Sequence, residues 1–246
     1  MTQVHRVQFN NQNNLGADHM TVTQAEIQTL VKYCEENLGD KTLWQTPEGY
    51  PDSLALCIID SLYSTGSHYT SVVNVITKYK TTEGTAHGAQ DLLDSIEKAG
   101  GPRGWAENVV GNLKPAHTKA HAPLKAEIIE RAAQLMVDLG IDTVEELRTV
   151  VEASPQENPV HTGWKKLPSQ SSGVTYNYLL ILAGMPSVKP DRMILRFLAD
   201  ALGKDSDLYF DRAVELIQAT ADELQVSSRT LDHIVWRAAS GRELVD

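Results

Sequence analysis

The stretch that decides the fold covers residues 167–197 and reads LPSQSSGVTYNYLLILAGMPSVKPDRMILRF. A short polar loop ends at Gly173, and apolar residues with helical spacing follow directly. Small and hydroxylated residues before such a run predict a loop that leads into a helix. Residues 184–190 end that helix, and Pro190 suits the first position of the next one, with Asp191 at its positive end. The stretch therefore predicts two helices, with a carboxylate at the start of the second.

The rest of the chain also has helical patterns. Thr23-Gln24-Ala25-Glu26 matches a capping box, and apolar residues with helical period follow it. No alternating strand pattern of useful length occurs anywhere. Residues 10–14 are all Asn or Gln, which is typical of a disordered tail. We therefore predict an all-α protein with a polar tail over residues 1–20 and a helical domain over residues 21–246.

The central stretch resembles the core of the helix-hairpin-helix base-excision DNA glycosylases. That core has a Leu-Pro-Gly-x-Gly hairpin, a Thr that opens an apolar helix, and a Gly/Pro-rich loop that ends in a catalytic Asp. Leu167-Pro168 match the hairpin start, Thr175 matches the helix-opening Thr, and Asp191 matches the Asp. Arg196 stands five positions later, where the family also has an Arg. The hairpin departs from the family because it has Ser and Gln where glycines are usual.

The resemblance extends over roughly residues 25 to 240. Residues 51–65 resemble the family's early apolar helix and DNA-wedging loop, and residues 229–237 resemble its closing helix. The resemblance implies a two-lobed helical bundle with the base pocket between the lobes. It also implies a monofunctional DNA N-glycosylase, which flips a damaged, mismatched or modified nucleotide out of a DNA duplex and hydrolyses its base–sugar bond.

The resemblance assigns roles to particular residues. Asp191 would stabilise the positive charge that builds on the sugar and orient the attacking water. Without the resemblance, an acid at this position is more simply a helix cap. Arg192 and Arg196 would support it. The backbone N–H groups expected to bind a DNA phosphate belong to Ser171, Ser172, Gly173, Val174 and Thr175. The residues expected at the DNA wedge or base pocket are Tyr63, Ser64, Thr65, Tyr69, Trp105, His117 and Trp164. For residues 63–69 the simpler interpretation is a turn between two helices.

Two departures limit the chemistry. Val174 stands where members that also cut the DNA backbone carry a nucleophilic Lys, so a lyase step by that route is not expected. The only cysteines are Cys34 and Cys57, which excludes the four-cysteine iron–sulfur cluster of some members. His117 and His121 lack further ligands nearby in sequence, so we expect no metal. We predict no cofactor, although the resemblance leaves room for a monovalent cation at the hairpin.

The composition limits which partners the protein is expected to bind. The formal net charge is -10, so a DNA-binding face requires basic residues gathered on one side. Residues 112–123 form the one visibly basic loop, with Lys114 and Lys119, and Lys125 follows shortly after it. No stretch is apolar enough to cross a bilayer and no leader is visible at Met1, so we expect a cytoplasmic protein, without a membrane partner, that acts as a monomer.

Two alternatives remain open at this point. One is a non-catalytic helix-hairpin-helix protein that binds DNA through residues 171–175, which the net acidity and the altered hairpin favour. The other is a glycosylase that removes hypermodified bases from foreign DNA in antiphage defence. Alkali cleavage of lesion-bearing DNA would distinguish the first, and phage DNA with and without base modifications would test the second.

Overall fold

A computed structural model describes residues 22–84, 87–203 and 209–244 of the chain. The predicted tail over residues 1–20 lies outside the described residues. Within the described ranges the chain forms twelve α-helices, a short 3-10 helix at Lys41–Leu43 and no strand. One isolated antiparallel bridge joins Pro115 to Leu124. The prediction of an all-α protein is confirmed for these ranges.

Most connections between the helices are short, and the two longest are residues 38–53 and 109–124. Their bounds are α1 Gln24–Asn37, α2 Leu54–Tyr63, α3 Tyr69–Glu83, α4 Ala89–Lys98, α5 Pro102–Asn108, α6 Lys125–Asp138, α7 Val144–Val151, α8 Pro159–Trp164, α9 Val174–Leu182, α10 Arg192–Leu202, α11 Phe210–Leu224 and α12 Ser228–Ala239.

The buried apolar residues form two separate cores. The larger core takes its side chains from α2 to α9, between Leu54 and Met185. The smaller core joins α1 to α10, α11 and α12, so the first described helix packs against the last three. The chain passes from the larger to the smaller core through residues 186–191, directly before α10.

Local sequence signals explain where several helices begin. Thr23 caps α1: its hydroxyl accepts a hydrogen bond from the Glu26 N–H at 3.3 Å, and the Glu26 carboxylate accepts one from the Thr23 N–H at 3.1 Å. This is the capping box that the sequence predicts. Helix α2 is apolar except for Asp60, Ser61 and the Tyr63 hydroxyl, and all ten of its residues are buried. It therefore occupies the centre of the larger core.

The start of α10 differs from the prediction by one position. Asp191 is the N-cap residue and the helix begins at Arg192, so Pro190 precedes the helix instead of occupying its first position. The reason is that the Asp191 carboxylate accepts hydrogen bonds from the N–H groups of Met193 and Ile194, which have no partner inside the helix. The capping Asp191 side chain therefore sets the start of the helix at Arg192, one residue beyond Asp191 and two beyond Pro190.

Candidate active site

Asp191 lies at the point where the chain passes between the two cores. Its Oδ1 accepts hydrogen bonds from the Met193 N–H at 2.8 Å and from the Ile194 N–H at 3.4 Å. Its Oδ2 lies 4.0 Å from the ammonium of Lys189, and the side chain is 24% exposed. The carboxylate is thus held firmly through one oxygen, the other oxygen faces a lysine, and the side chain as a whole is partly exposed.

Lys189 is held by several contacts of its backbone and its side chain. Its backbone N–H donates to Oδ1 of Asp232 at 2.8 Å, and its ammonium donates to the Ser64 hydroxyl at 3.2 Å. The ammonium also lies 3.7 Å from the centre of the Tyr178 ring, which is a close cation–π contact. Burial lowers the pKa of Lys189, and the nearby carboxylates, Asp191 first, oppose this effect.

Two further carboxyl groups are buried next to this lysine. Asp60 of α2 accepts a hydrogen bond from the Tyr50 hydroxyl at 2.8 Å and another from Tyr178. Burial raises the pKa of Asp60, against these hydrogen bonds and the charge of Lys189. Burial also raises the pKa of Asp232, to about 8. A charge removed from water needs a partner, and Lys189 is the cation that these acids share.

We call this set of side chains the junction cluster. Its members are Tyr50, Asp60, Tyr178, Lys189, Asp191 and Asp232. Three carboxyl groups and one amine meet here, between helices of both cores. Perturbed titratable groups gathered beside a partly exposed carboxylate are typical of functional sites. The junction cluster is therefore the candidate active site.

The hairpin before α9 lies close to this cluster. Gly173 is the N-cap of α9 and has φ +76°, a left-handed conformation that favours glycine. Tyr178 follows Val174 by four residues, so one helical turn, about 6 Å of rise, separates the helix start from the junction cluster. A ligand bound at the start of α9 would therefore lie near Tyr178, which contacts the ammonium of Lys189 next to Asp191.

The backbone of the hairpin offers donors. Among the described residues, the N–H groups of Ser171, Ser172, Val174 and Thr175 have no hydrogen-bond acceptor, whereas the Gly173 N–H donates to the Gln170 carbonyl at 3.1 Å. Lys165 and Lys166 are exposed directly before the hairpin. Unpaired N–H groups at a helix start, beside two ammonium groups, form a favourable site for an anion.

Comparison with known proteins gives one result. A family model described as a domain of unknown function (DUF8548) matches residues 28–240. The chain belongs to the DUF8548 family. No curated protein and no solved structure matches the chain. The DUF8548 match spans both cores, the hairpin and the junction cluster, so the candidate site lies wholly inside the family's domain.

The predicted pocket residues are dispersed in this DUF8548 domain. Trp105 is fully buried and donates its ring N–H to Ser95 inside the larger core at 3.0 Å. Trp164 is fully buried as well, and its ring N–H donates to the Thr175 hydroxyl at 2.9 Å. Both tryptophans hold helices together and neither faces an open pocket. This corrects the expectation that they hold a flipped base.

The turn after α2 also differs from the expectation in part. Tyr63 is 1% exposed and donates its hydroxyl to the Asn112 carbonyl at 2.9 Å, so it cannot insert into DNA from this position. Thr65 accepts a hydrogen bond from Lys125 at 3.0 Å. Ser64 instead contacts Lys189, and Tyr69 is 54% exposed. Of the predicted wedge residues, Ser64 contacts a member of the junction cluster and Tyr69 is exposed.

Neither the basic loop nor the two arginines contribute a member to the junction cluster. His117 is exposed, and its ring accepts a hydrogen bond from the Lys119 N–H at 3.3 Å. Arg192 and Arg196 are exposed on α10, and within the described ranges neither forms an ion pair. Lys125, which follows this exposed loop, is instead buried beneath the end of α2. The charges in the sequence did not indicate which of these residues are exposed and which are buried.

Five of the six members of the junction cluster, all except Asp191, are absent from the sequence-based prediction. Asp60 is the single acid of the apolar helix α2, and a lone acid on a buried face needs a partner. This signal points to Asp60 but not to Lys189, which stands two positions before Asp191.

Two searches of the described residues gave negative results. None of the described helices has both the length and the apolar character that a membrane span needs. In the same ranges, no group of three or more His, Cys, Asp or Glu side chains is arranged to hold a metal ion.

Proposed function

We propose that the chain is a monofunctional DNA N-glycosylase that hydrolyses the base–sugar bond of a damaged or modified nucleotide. The observation that carries the proposal is the position of Asp191. Its carboxylate caps α10 through one oxygen, its side chain is partly exposed, and it lies where the chain passes between the two cores. We infer that these cores are the two lobes of a helix-hairpin-helix glycosylase and that the flipped base enters between them.

The proposed reaction needs one carboxylate and one water. As the bond from C1′ of the sugar to the base nitrogen breaks, the electron pair leaves with the base and positive charge builds on the sugar. Oδ2 of Asp191 stabilises that charge and accepts a proton from the water that adds to C1′. The proton that Asp191 takes up passes on to the departing base, so the products are the neutral free base and an abasic site, and the carboxylate is restored. The two amide hydrogen bonds to Oδ1 keep the carboxylate in place throughout.

The hairpin would hold the DNA backbone. The N–H groups of Ser171, Ser172, Val174 and Thr175 and the ammonium groups of Lys165 and Lys166 suit a phosphate. This supports the proposal because the start of α9 is one helical turn from Tyr178 in the junction cluster. A phosphate bound at the hairpin would bring the neighbouring sugar towards Asp191. A monovalent cation at the hairpin would act in the same place.

The test is a panel of duplex oligonucleotides that each carry one damaged, mismatched or modified base. We expect one substrate class to yield a strand break after alkali treatment, which cleaves abasic sites, and no break without it. DNA from phages with and without hypermodified bases extends the panel to the defence alternative. A protein that binds these duplexes but releases no base from any of them contradicts the proposal.

A non-catalytic DNA-binding protein is the second candidate. It is favoured by the ammonium of Lys189, which lies 4.0 Å from Asp191 and offsets part of the charge that catalysis would use. On that account, the hairpin binds DNA and Asp191 serves only as a helix cap. The same panel separates the two candidates, because the second predicts binding without base release from every substrate.

A further inference from the structure

In the described part of the chain, two segments connect the smaller core to the larger core. Residues 38–53 lead from α1 of the smaller core to α2 of the larger core, and residues 183–191 lead from α9 back to α10. The two connections meet where the Tyr50 N–H donates to the Leu182 carbonyl at 2.7 Å. We call this point the crossing. The relative placement of the two cores depends on how firmly the crossing is held.

Arg229 of α12 holds the first connection. Its guanidinium donates to the Pro47 carbonyl and, at 2.9 Å, to the Glu48 carbonyl. Among the described residues, no carboxylate lies within ion-pair distance of it, and its Nε is buried without a hydrogen-bond partner. Burying part of a cation without a carboxylate is costly. Arg229 is therefore a poor choice for stability alone, and its contacts with the two carbonyls need another explanation.

Arg148 of α7 holds the second connection. Its Nε and Nη2 both donate to the Ala183 carbonyl, at 3.0 and 2.5 Å. Ala183 is the C-cap residue of α9, so its carbonyl has no partner inside the helix. Burial first, and then the charge of Arg148, lowers the pKa of Arg229, so the two guanidinium groups act on each other across the crossing. One arginine from each core thus binds a connection between the cores.

A glycine lies beside each of these arginines. Gly49 has φ +67°, and a Cβ atom there would collide with the Leu182 carbonyl oxygen and lie 3.0 Å from Nη2 of Arg229. Gly184 has φ +83°, and a Cβ atom there would lie 2.7 Å from Nη2 of Arg148. Both glycines adopt left-handed backbone conformations that other residues rarely adopt. The backbone of each connection is therefore shaped to admit a guanidinium at close range.

The crossing is continuous with the candidate active site. Tyr50 follows Gly49 directly and donates its hydroxyl to Asp60 of the junction cluster at 2.8 Å. The second connection ends at Asp191, the cap of α10. Helix α9 begins at the hairpin and ends at the crossing, and its nine residues rise about 13 Å. The crossing therefore lies on the path that joins the hairpin to Asp191.

We propose that Arg148 and Arg229 are positioning residues, which fix the smaller core, and with it Asp191, relative to the hairpin on the larger core. They act through the main-chain carbonyls of the two connections and contact no reacting atom. A guanidinium suits this task because its rigid fork of donors holds carbonyl oxygens in a defined geometry. The inference rests on the proposed function in one respect, namely that Asp191 and the hairpin act on the same nucleotide.

The first test measures the distance between the cores and needs no substrate. Spin labels are attached at Gln134→Cys on α6 of the larger core and at Gln218→Cys on α11 of the smaller core. Both positions are exposed, whereas Cys34 and Cys57 are buried and do not compete for the label. Pulsed electron spin resonance of the doubly labelled protein then gives the distribution of distances between the cores. We expect a single narrow distribution when both arginines are present.

The arginine variants are compared in this labelled protein. Arg148→Met and Arg229→Met should each broaden or shift the distance distribution, and Arg103→Met, which changes an exposed arginine on α5, should not. Circular dichroism checks that each variant is folded. Where a methionine variant does not fold, Arg148→Gln or Arg229→Gln replaces it with the same expectation. Folded variants of both arginines with the wild-type distribution would overturn the proposal, even if their stability is lower.

The second test uses the substrate class that the oligonucleotide panel identifies. Arg229→Met should lower single-turnover base release about tenfold, because a small displacement of Asp191 from the sugar is costly. Its DNA affinity should match that of wild type, because the hairpin is unchanged. Wild-type base release by folded Arg148→Met and Arg229→Met would overturn the proposal. If the distances change but the panel finds no substrate, the glycosylase proposal fails alone. If base release is found and the distances do not change, the positioning proposal fails alone.

Discussion

The ammonium of Lys189 lies 4.0 Å from Oδ2 of Asp191, and only Pro190 separates the two residues in sequence. A residue before proline prefers extended backbone. The side chain then reaches Ser64 and Tyr178 of the larger core, and the N–H reaches Asp232 of the smaller core. Through these contacts, Lys189 fixes the segment that carries Asp191.

Replacing Lys189 by methionine should destabilise the protein strongly. The substitution keeps a long apolar side chain but leaves Asp60, Asp191 and Asp232 without their shared cation. Breaking a buried charge pair in this way costs about 3 kcal/mol. Urea unfolding at pH 9, above the Asp232 pKa of about 8, measures the loss. The exposed Lys166→Met serves as the control, and a Lys189→Met variant as stable as that control would contradict the role given to the junction cluster.

Asp232 should make stability depend on pH. Burial raises its pKa to about 8, whereas an unfolded aspartate titrates near pH 4. The folded chain therefore binds this proton more tightly, and the stabilising contribution of Asp232 falls as pH rises from about 4 to about 8. Asp232→Asn keeps an acceptor for the Lys189 N–H but cannot titrate.

Urea unfolding of both proteins between pH 5 and 8 checks the sign. Relative to wild type, Asp232→Asn should gain up to about 1.4 kcal/mol of unfolding free energy per pH unit across this window. The exposed Asp200→Asn should follow the wild-type curve. A constant difference between Asp232→Asn and wild type at every pH would show that Asp232 does not titrate there.

Lys125 should stabilise the end of α2. Its buried ammonium donates to the carbonyls of Leu62 at 2.6 Å and Thr65 at 2.8 Å, which are free of helical partners. Lys125→Met removes these hydrogen bonds, and we expect a loss of about 2 kcal/mol in urea unfolding. Lys119→Met changes an exposed lysine on the preceding loop and should change stability little. Equal stability of the two variants would contradict this role.

The hairpin lysines should contribute to DNA affinity without sequence preference. Replacing both Lys165 and Lys166 by alanine should weaken binding to different duplexes by a similar factor. The slope of log K against log salt concentration should fall by about 2, because each lysine that neutralises a phosphate releases roughly one counterion. Fluorescence anisotropy over a salt series measures both effects. Lys98→Ala on α4 is the control, and an unchanged slope in the double variant would place the DNA elsewhere.

Local signals in the sequence predicted the helices well. The capping box at Thr23 and Glu26 and the carboxylate at the start of α10 both occur where expected, because a cap depends on residues within a single turn. The sequence did not determine which residue of that turn begins α10. Pro190 and Asp191 both suit a helix start, and only the hydrogen bonds of the carboxylate decide between them.

The candidate site depends on contacts that no local pattern reveals. Ser64 and Lys189 meet although they are 125 positions apart. Trp105 and Trp164 illustrate the opposite limit, since a tryptophan that binds a base and one that fills a core have the same sequence signature. The long-range packing of the two cores, and not residue type, decides which aromatic side chains reach the junction cluster.

The measurement that tests the central claim most directly is single-turnover base release by Asp191→Asn, on the substrate class that the panel identifies. Asparagine still accepts the N–H groups of Met193 and Ile194, so fold and DNA affinity should match those of wild type. Base release should fall at least about a hundredfold, because the negative charge facing the sugar is gone. Asp200→Asn on the same helix should keep the wild-type rate. Undiminished base release by Asp191→Asn would contradict the account.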